Sequence, residues 1–192
     1  MNYNWMIIFF LIPAYVANMM PIIFMRSDFL AEAKLPVDAG KKFLGRRLFG
    51  RSKTWRGILL GTIGGSLISL ALLLLLIFMG ANNYNKDWEF LLLYALSGAV
   101  IGFGSMIGDL VKSFFKRRLG IDSGKPWPIF DQVDFVIGAW FFWLPFLFLT
   151  NLKPPDQLPI LEFIALSIIV TLPIHFLSNV LAYKIGLKKV WW

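Results

Sequence analysis

Residues 57–79, GILLGTIGGSLISLALLLLLIFM, form a long apolar run that contains no charged side chain. As an α-helix, a run of this length would rise roughly 34 Å, enough to cross a hydrocarbon core of about 30 Å. The rest of the chain has the same character, because 58% of its 192 residues are hydrophobic and its mean hydropathy is +0.69. The sequence therefore predicts an integral membrane protein.

Four further stretches are apolar and long enough to span a bilayer. We therefore predict an all-α membrane protein in which residues 1–192 form one domain of five transmembrane helices. The predicted spans are roughly residues 5–25, 57–79, 90–111, 131–149 and 160–183. The fourth apolar run begins at Phe135, and it reaches full length if the turn from Asp131 to Asp134 starts the helix. The first span lacks the basic segment and cleavage site of a secretory signal, so we expect it to be retained.

The 19 Lys and Arg residues are unevenly divided between the two predicted sides of the membrane. Nine lie in the loop 26–56, five lie between Lys112 and Lys125, and three lie in the tail from Lys184. The opposite side holds Lys86 and Lys153. By the positive-inside rule, the N-terminus lies outside, and the loops 26–56 and 112–130 and the C-terminus face the cytoplasm. We expect a multi-pass protein of the cell membrane whose functional loops are cytoplasmic.

The composition excludes several kinds of chemistry. The chain has no cysteine and one histidine, which excludes thiolate catalysis, iron–sulfur clusters and multi-histidine metal sites. Its net charge of +8 would suggest a nucleic-acid partner in a soluble protein. In a membrane protein the basic residues are first a topology signal, so we expect no nucleic acid. The sequence leaves the oligomeric state open.

A polar stripe marks the end of the third predicted helix. Spacings of three and four residues place five polar side chains on one helical face, namely Asp109, Lys112, Ser113, Lys116 and Arg117. Lysine and arginine at a helix end often extend to the membrane interface. A carboxylate inside the hydrocarbon boundary is costly without a partner, so Asp109 needs another explanation. Earlier in the same helix, Gly98, Gly102, Gly104 and Gly108 predict close helix packing.

Asp131 and Asp134 begin the fourth helix and allow two interpretations. They can form a capping box, with Asp131 as the N-cap and Asp134 at the third helical position. Alternatively, antiparallel packing brings them close to Asp109, where three carboxylates repel each other unless a cation neutralises them. Oxygen ligands without cysteine or histidine favour a hard ion, and we expect Mg²⁺.

The loop 26–56 is long, basic and rich in glycine. It can be a polybasic segment attracted to anionic lipid, with Trp55 in the aromatic belt. It can equally be a flexible arm that closes over a polyanion, with Lys53 and Arg56 opposite the cations of the third helix.

Several motifs resemble those of the membrane cytidylyltransferases that make CDP-activated lipids. The resembling segments are GDLVKSFFKRR (108–118), SG (123–124), DQVD (131–134) and KTWRG (53–57). RRLFGRSKTWRG (46–57), FDQVDF (130–135) and the tail HFLSNVLAYKIGLKKVWW (175–192) are similar to the archaeal branch, the CDP-archaeol synthases. The chain departs from the bacterial branch at Gln132, where that branch has arginine, and at KPWPIF (125–130), which replaces a glycine-rich run.

The resemblance implies transfer of CMP from CTP to the phosphate of unsaturated archaetidic acid, giving CDP-archaeol and pyrophosphate. The attacking phosphate is already an anion, so the reaction requires cations and positioning rather than a base. The resemblance implies Mg²⁺ ligands at Asp109, Asp131 and Asp134. It also implies phosphate contacts by Lys53, Arg56, Lys116 and Arg117, with Lys112 and Ser113 as second choices.

The fifth predicted helix carries His175, Asn179 and Tyr183 on one face. These side chains can fasten the helix bundle through hydrogen bonds, or they can line the cavity of a lipid that enters from the inner leaflet. The alternatives for the whole chain are a CDP-diacylglycerol synthase acting on phosphatidic acid, a small transporter or ion pathway, and a basic scaffold that binds anionic lipid. Against the transporter, the three aspartates lie at one membrane edge rather than along a path through the bilayer.

Overall fold

The computed structural model describes residues 3–80, 87–150 and 160–186, except for the side chains of residues 3–7 and 182. Within these residues the chain forms five α-helices: α1 (Tyr3–Ile23), α2 (Trp55–Phe78), α3 (Trp88–Arg118), α4 (Phe130–Thr150) and α5 (Ile160–Lys184). The α1–α2 loop, residues 24–54, contains a 3-10 helix (Ala31–Lys34) and an antiparallel hairpin of β1 (Lys42–Phe43) and β2 (Arg46–Arg47). One helix corresponds to each predicted span, so the all-α prediction is confirmed.

Four of the described helices are long and apolar enough to cross a membrane, namely Trp55–Phe78, Trp88–Arg118, Phe130–Thr150 and Ile160–Leu181. α1 contains a shorter apolar helix, Ile8–Ile23. The multi-pass prediction therefore agrees with the structure, whereas the fifth span and the sidedness stay predictions. Lys86, Lys153, Lys188 and Lys189, which entered the charge count, lie outside the described residues.

Glycines bring α3 against both α2 and α4. A Cβ atom added to Gly65 in α2 would lie 2.5 Å from the carbonyl oxygen of Gly98 in α3. A Cβ added to Gly104 would lie 2.6 Å from the carbonyl oxygen of Gly138 in α4. Backbone is therefore packed against backbone, and the predicted packing role of Gly98, Gly102, Gly104 and Gly108 is confirmed. α3 lies between its two neighbours, with its polar end beside the start of α4.

Aromatic side chains fill the centre of the bundle. Phe10 of α1 is fully buried, and its ring centroid lies 4.3 Å from that of Trp140 and 5.0 Å from that of Trp143. Trp140 Nε1 donates to Ser167 Oγ of α5 at 2.8 Å, and Trp143 Nε1 donates to Ser97 Oγ of α3 at 2.7 Å. Each indole has its polar atom satisfied, so α4 is fixed to both neighbours without an unpaired buried N–H.

The α1–α2 loop is organised around Asp38, whose side chain is buried. This carboxylate accepts hydrogen bonds from the backbone N–H groups of Gly40, Phe49 and Gly50, and from the guanidinium of Arg47 at 2.5 Å. Burial raises the pKa of Asp38, but these hydrogen bonds outweigh burial and lower the pKa to about 2. The loop therefore has a charged centre that ties together segments up to 12 residues apart.

Arg118, the last residue of α3, docks this loop on the helix end. Its guanidinium donates to the carbonyl oxygens of Phe43 and Arg47, the latter at 2.8 Å. The same group lies 4.9 Å from the ring centroid of Phe114 and 5.2 Å from that of Phe43. A planar cation can satisfy carbonyl oxygens and aromatic faces together, so the hairpin is held against α3.

Candidate active site

Three aspartates from two helices converge at one end of the bundle and surround one ammonium group. Lys112 Nζ lies 3.0 Å from Asp109 Oδ1, 3.2 Å from Asp131 Oδ1 and 2.9 Å from Asp134 Oδ2. Asp134 is the most enclosed of the three, with 7% of its side chain exposed, and Asp131 is the least enclosed, with 28% exposed. We call these three carboxylates the aspartate cluster. The expected proximity of Asp109 to the later pair is thus observed.

Two further lysines complete the cluster from different elements. Lys53, at the end of the α1–α2 loop, donates to Asp109 Oδ2. Lys116, one turn beyond Lys112 on α3, donates to Asp131 Oδ1 at 3.0 Å and Oδ2 at 2.8 Å. Three ammonium groups therefore balance three carboxylates. Such partly buried pairs are stable only as a set, because removal of one partner leaves an uncompensated charge.

The α1–α2 loop fixes the position of Lys53 through its backbone. The N–H of Val37 donates to the carbonyl oxygen of Lys53 at 2.9 Å, and the N–H of Trp55 donates to that of Leu35 at 3.1 Å. Thr54 then caps α2 by accepting the N–H of Gly57. The contact between Lys53 and Asp109 thus depends on how the loop is folded.

Asp131 lies in the first turn of α4, and Asp134 lies at the start of the second turn. Asp131 Oδ2 accepts the backbone N–H of Trp127 at 2.7 Å, which joins the segment before the helix to the aspartate cluster. Asp134 contacts Lys112. The capping-box interpretation is therefore wrong, because α4 begins at Phe130 and the Asp131 carboxylate accepts an N–H from before the helix rather than from its first turn. Both residues belong to the aspartate cluster instead.

The other predicted polar residues near the site are Arg56, Arg117 and Ser113, and the structure gives partners for the two arginines outside the aspartate cluster. Arg56 is buried, and its guanidinium donates to the carbonyl oxygens of Ser27 at 2.9 Å and Phe29 at 3.5 Å, at the start of the loop. Arg117 donates to the carbonyl oxygen of Ile121 at 2.7 Å. Ser113 is buried on the stripe between Lys112 and Lys116.

On α5, the predicted face is present in the structure. His175 Nδ1 lies 3.3 Å from Asn179 Nδ2, and the His175 ring centroid lies 5.8 Å from that of Phe135 in α4. Tyr183 follows at the end of the helix with 47% of its surface exposed.

Comparison with known proteins decides the family. The whole chain, residues 1–192, matches the model of the CarS-like family, which is described as CDP-archaeol synthase. The chain is 38% identical over 186 residues to the CDP-archaeol synthase of Methanocaldococcus jannaschii, covering 96% of this chain and 95% of that protein. The chain belongs to the CDP-archaeol synthase family. The resemblance read from its motifs is thereby confirmed.

A second relative and a solved structure agree with this family. The relative from Methanococcus aeolicus is 34% identical over 190 residues, covering 95% of this chain and 93% of that protein. A solved structure described as an intramembrane enzyme for archaeal membrane lipids biosynthesis matches with a TM-score of 0.63 and 30% identity, covering 90% of this chain and 91% of that one.

The aspartate cluster of this CDP-archaeol synthase family member provides the donor atoms for a hard cation but holds an ammonium at its centre. Among the described residues, no group of three or more His, Cys, Asp or Glu is placed to hold a metal ion. Lys112 Nζ stands where the three carboxylates converge, so it marks a point at which positive charge is stabilised. Carboxylate oxygens are preferred ligands of Mg²⁺, so the three aspartates fit this ion by the type of their donor atoms.

A cavity of about 520 Å³ lies beside this cluster, between α3 and α4. Apolar side chains of both helices form its walls, including Val111, Phe115, Ile137 and Phe141. Lys112 and Asp134 are the charged residues in its lining. We call this the α3–α4 cavity. The sequence did not indicate this cavity, the role of Asp38 or the docking contacts of Arg118, because each depends on contacts between distant segments.

Proposed function

We propose that the chain transfers CMP from CTP to the phosphate of unsaturated archaetidic acid, 2,3-bis-O-geranylgeranyl-sn-glycerol 1-phosphate, giving CDP-archaeol and pyrophosphate. The observation that carries this proposal is the aspartate cluster around Lys112, with Lys53 and Lys116 beside it. Both substrates are phosphate anions, and a transferase must hold them together against their repulsion. Membership of the CDP-archaeol synthase family supports the same reaction.

The chemical step is attack by an oxygen of the lipid phosphate on the α-phosphorus of CTP. A new P–O bond forms, the bond to the β-phosphate oxygen breaks, and pyrophosphate leaves with the electron pair. Because the attacking phosphate is already ionised, none of the aspartates is needed as a base. Lys53, Lys112 and Lys116 can exchange carboxylate oxygens for phosphate oxygens without losing a charge-assisted hydrogen bond. They thereby neutralise the charge that develops on the leaving group.

Asp109, Asp131 and Asp134 would hold Mg²⁺. When bound, the ion acts as a Lewis acid on phosphoryl oxygens. Three ammonium groups already balance the three carboxylates, so the repulsion expected from the sequence does not by itself require the ion. A divalent ion would give the site the positive charge that polyanionic substrates require.

The remaining predicted polar residues have different roles in this proposal. Ser113 and Arg117 share the stripe with Lys112 and Lys116, and we propose that they contact phosphate oxygens of CTP. Arg56 acts through the loop, because its guanidinium fastens the loop start at Ser27 to the base of α2, three residues after Lys53. Arg56 is thus proposed as a positioning residue for Lys53.

We further propose a single membrane domain of five spans, with the N-terminus outside and the active site at the cytoplasmic face. The burial of Phe10 in the bundle core supports α1 as a member of the bundle. The basic residues of the α1–α2 loop and of the end of α3 lie at the same end as the aspartate cluster, which supports the cytoplasmic assignment. The lipid substrate would enter from the inner leaflet.

The test is incubation of the purified chain with radiolabelled CTP, Mg²⁺ and unsaturated archaetidic acid. We expect a labelled CDP-lipid and pyrophosphate in equal amounts. A parallel incubation with phosphatidic acid distinguishes an ether-lipid enzyme from a CDP-diacylglycerol synthase. Absence of labelled lipid with every divalent ion tested would contradict the proposed activity.

A further inference from the structure

We propose that the α3–α4 cavity binds a hydrocarbon chain of the lipid substrate, and that Trp127 and Phe130 form its rim on the side of the aspartate cluster. This inference rests on the proposed function and names the part of the site that recognises the lipid. It also gives a role to the segment KPWPIF (125–130), which the motifs leave unassigned.

The close approach of two glycines creates the cavity. Gly108 of α3 and Gly138 of α4 both line it, and a Cβ added to Gly138 would lie 2.6 Å from the Cα of Gly108. The two backbones touch at this point, and no side chain fills the space alongside them. Larger side chains stand on both sides and remain open to the surroundings of the bundle, including Val111, Ile137 and Phe141, which are 49%, 51% and 75% exposed. The α3–α4 cavity is therefore an open trough that runs along the two helices, and we refer to it below as the trough.

The chemistry of the lining fits an amphiphile with an anionic head. The trough is apolar except where it reaches Lys112 and Asp134, which belong to the aspartate cluster. A molecule that lies in it would place hydrocarbon against Val111 and Ile137 and a charged group beside the Lys112 ammonium. Of the two proposed substrates, only the lipid has both parts. A volume of about 520 Å³ lies within the range of specific small-molecule sites, roughly 300–1,000 Å³.

The rim lies between the trough and the aspartate cluster. The rings of Trp127 and Phe130 are stacked, with centroids 4.3 Å apart and planes 24° apart, and both residues line the cavity. The backbone N–H of Trp127 donates to Asp131, so a shift of the rim would also move a carboxylate of the cluster. Aromatic side chains of this kind favour the interface between hydrocarbon and water, which is where a lipid phosphate lies. The rim therefore couples lipid position to the reacting phosphate.

The inference is tested with substitutions that fill the trough and do not change any residue of the aspartate cluster. In Val111→Trp and Ile137→Trp, an indole would occupy the proposed chain site. We expect the KM for archaetidic acid to rise roughly tenfold or more, and the KM for CTP to stay within about twofold of the wild-type value. Leu67→Trp on α2, where Leu67 is 61% exposed, is the matched control and should leave both constants unchanged.

A milder variant and a binding measurement distinguish a misfolded variant from one that binds the lipid normally. The milder Val111→Phe is measured beside the tryptophan variants, and CTP binding is measured on each variant to show that it is folded. The inference is overturned if folded variants keep the wild-type KM for the lipid, or if His175→Ala on α5 raises that KM and the trough variants do not. If the wild-type chain makes no CDP-lipid at all, the proposed function itself fails, which is a different result.

Discussion

At the residue scale, Lys112 is the feature that governs the candidate site. Its ammonium is shared by three carboxylates that would otherwise repel each other across the junction of α3 and α4. The proposed Mg²⁺ would compete for the same point in space. Lys112 therefore stabilises the cluster in this structure, and its ammonium would be free to contact phosphate oxygens if Mg²⁺ took its place, as proposed.

This competition leads to a prediction for Lys112→Met. Removing the central cation should destabilise the protein by about 3 kcal/mol, because three partly buried carboxylates then face two ammonium groups. Millimolar Mg²⁺ should restore much of that loss, so it should raise the melting temperature of Lys112→Met more than that of the wild type. Lys125→Met, in the exposed segment before α4, is the control. Equal Mg²⁺ shifts for Lys112→Met and wild type would count against a divalent site among these aspartates.

At the element scale, the α1–α2 loop carries Lys53 to the cluster, and Asp38 holds the loop together. The loop is fastened at its start by Arg56, at its centre by Asp38, and at its hairpin by Arg118. Each fastening uses a charged side chain and backbone groups, which is typical of loops that lack an apolar core of their own.

The pKa of Asp38 predicts how the loop responds to pH. A carboxyl whose folded pKa is lowered to about 2, from an ordinary value of about 3.9, stabilises the fold above pH 4 and loses this contribution as the pH falls towards 2. The shift corresponds to roughly 2 kcal/mol. The difference in unfolding free energy between wild type and Asp38→Asn should therefore be largest near pH 6 and should shrink below pH 4. A difference that does not change between pH 6 and pH 2.5 would refute the role of the Asp38 carboxylate.

The sequence predicted the helices better than the loop, for physical reasons. The polar stripe from Asp109 to Arg117 has a helical period, and α3 indeed continues to Arg118, past the predicted end of the span. The partners of Asp38 lie 2, 9, 11 and 12 residues ahead in a loop without any period, so nothing local indicates them. The central position of Lys112 depends on the rotation of α3 against α4. That rotation is set by the contact of Gly104 and Gly108 with α4, which the spacing of glycines in one helix does not specify.

At the scale of the whole molecule, polar and apolar regions are segregated along the bundle. The aromatic core of Phe10, Phe135, Trp140 and Trp143 lies within the helices, and the charged groups gather where the α1–α2 loop meets the ends of α3 and α4. This arrangement would join the proposed binding site for CTP, at the charged end, to the α3–α4 cavity, where we propose that the lipid chain binds. A reaction between CTP and a membrane lipid requires both.

The absence of cysteine allows the proposed sidedness to be tested directly. Single cysteines replace exposed residues at the two ends of the bundle, with Ser52→Cys in the α1–α2 loop, Ser123→Cys before α4 and Glu89→Cys at the start of α3. In intact cells, a membrane-impermeant maleimide should label Glu89→Cys and should label the other two only after the cells are opened. Labelling of Ser52→Cys in intact cells would reverse the proposed orientation.

We propose that CMP transfer takes place at the aspartate cluster. Carboxylate variants compared in the CTP assay test this most directly. Asp109→Asn and Asp134→Asn remove one charge each from the cluster, and Asp122→Asn removes one from the exposed segment before α4. Formation of labelled CDP-archaeol should fall roughly 100-fold or more in the first two variants and should stay at the wild-type rate in the third. Wild-type rates in folded Asp109→Asn and Asp134→Asn would contradict the account.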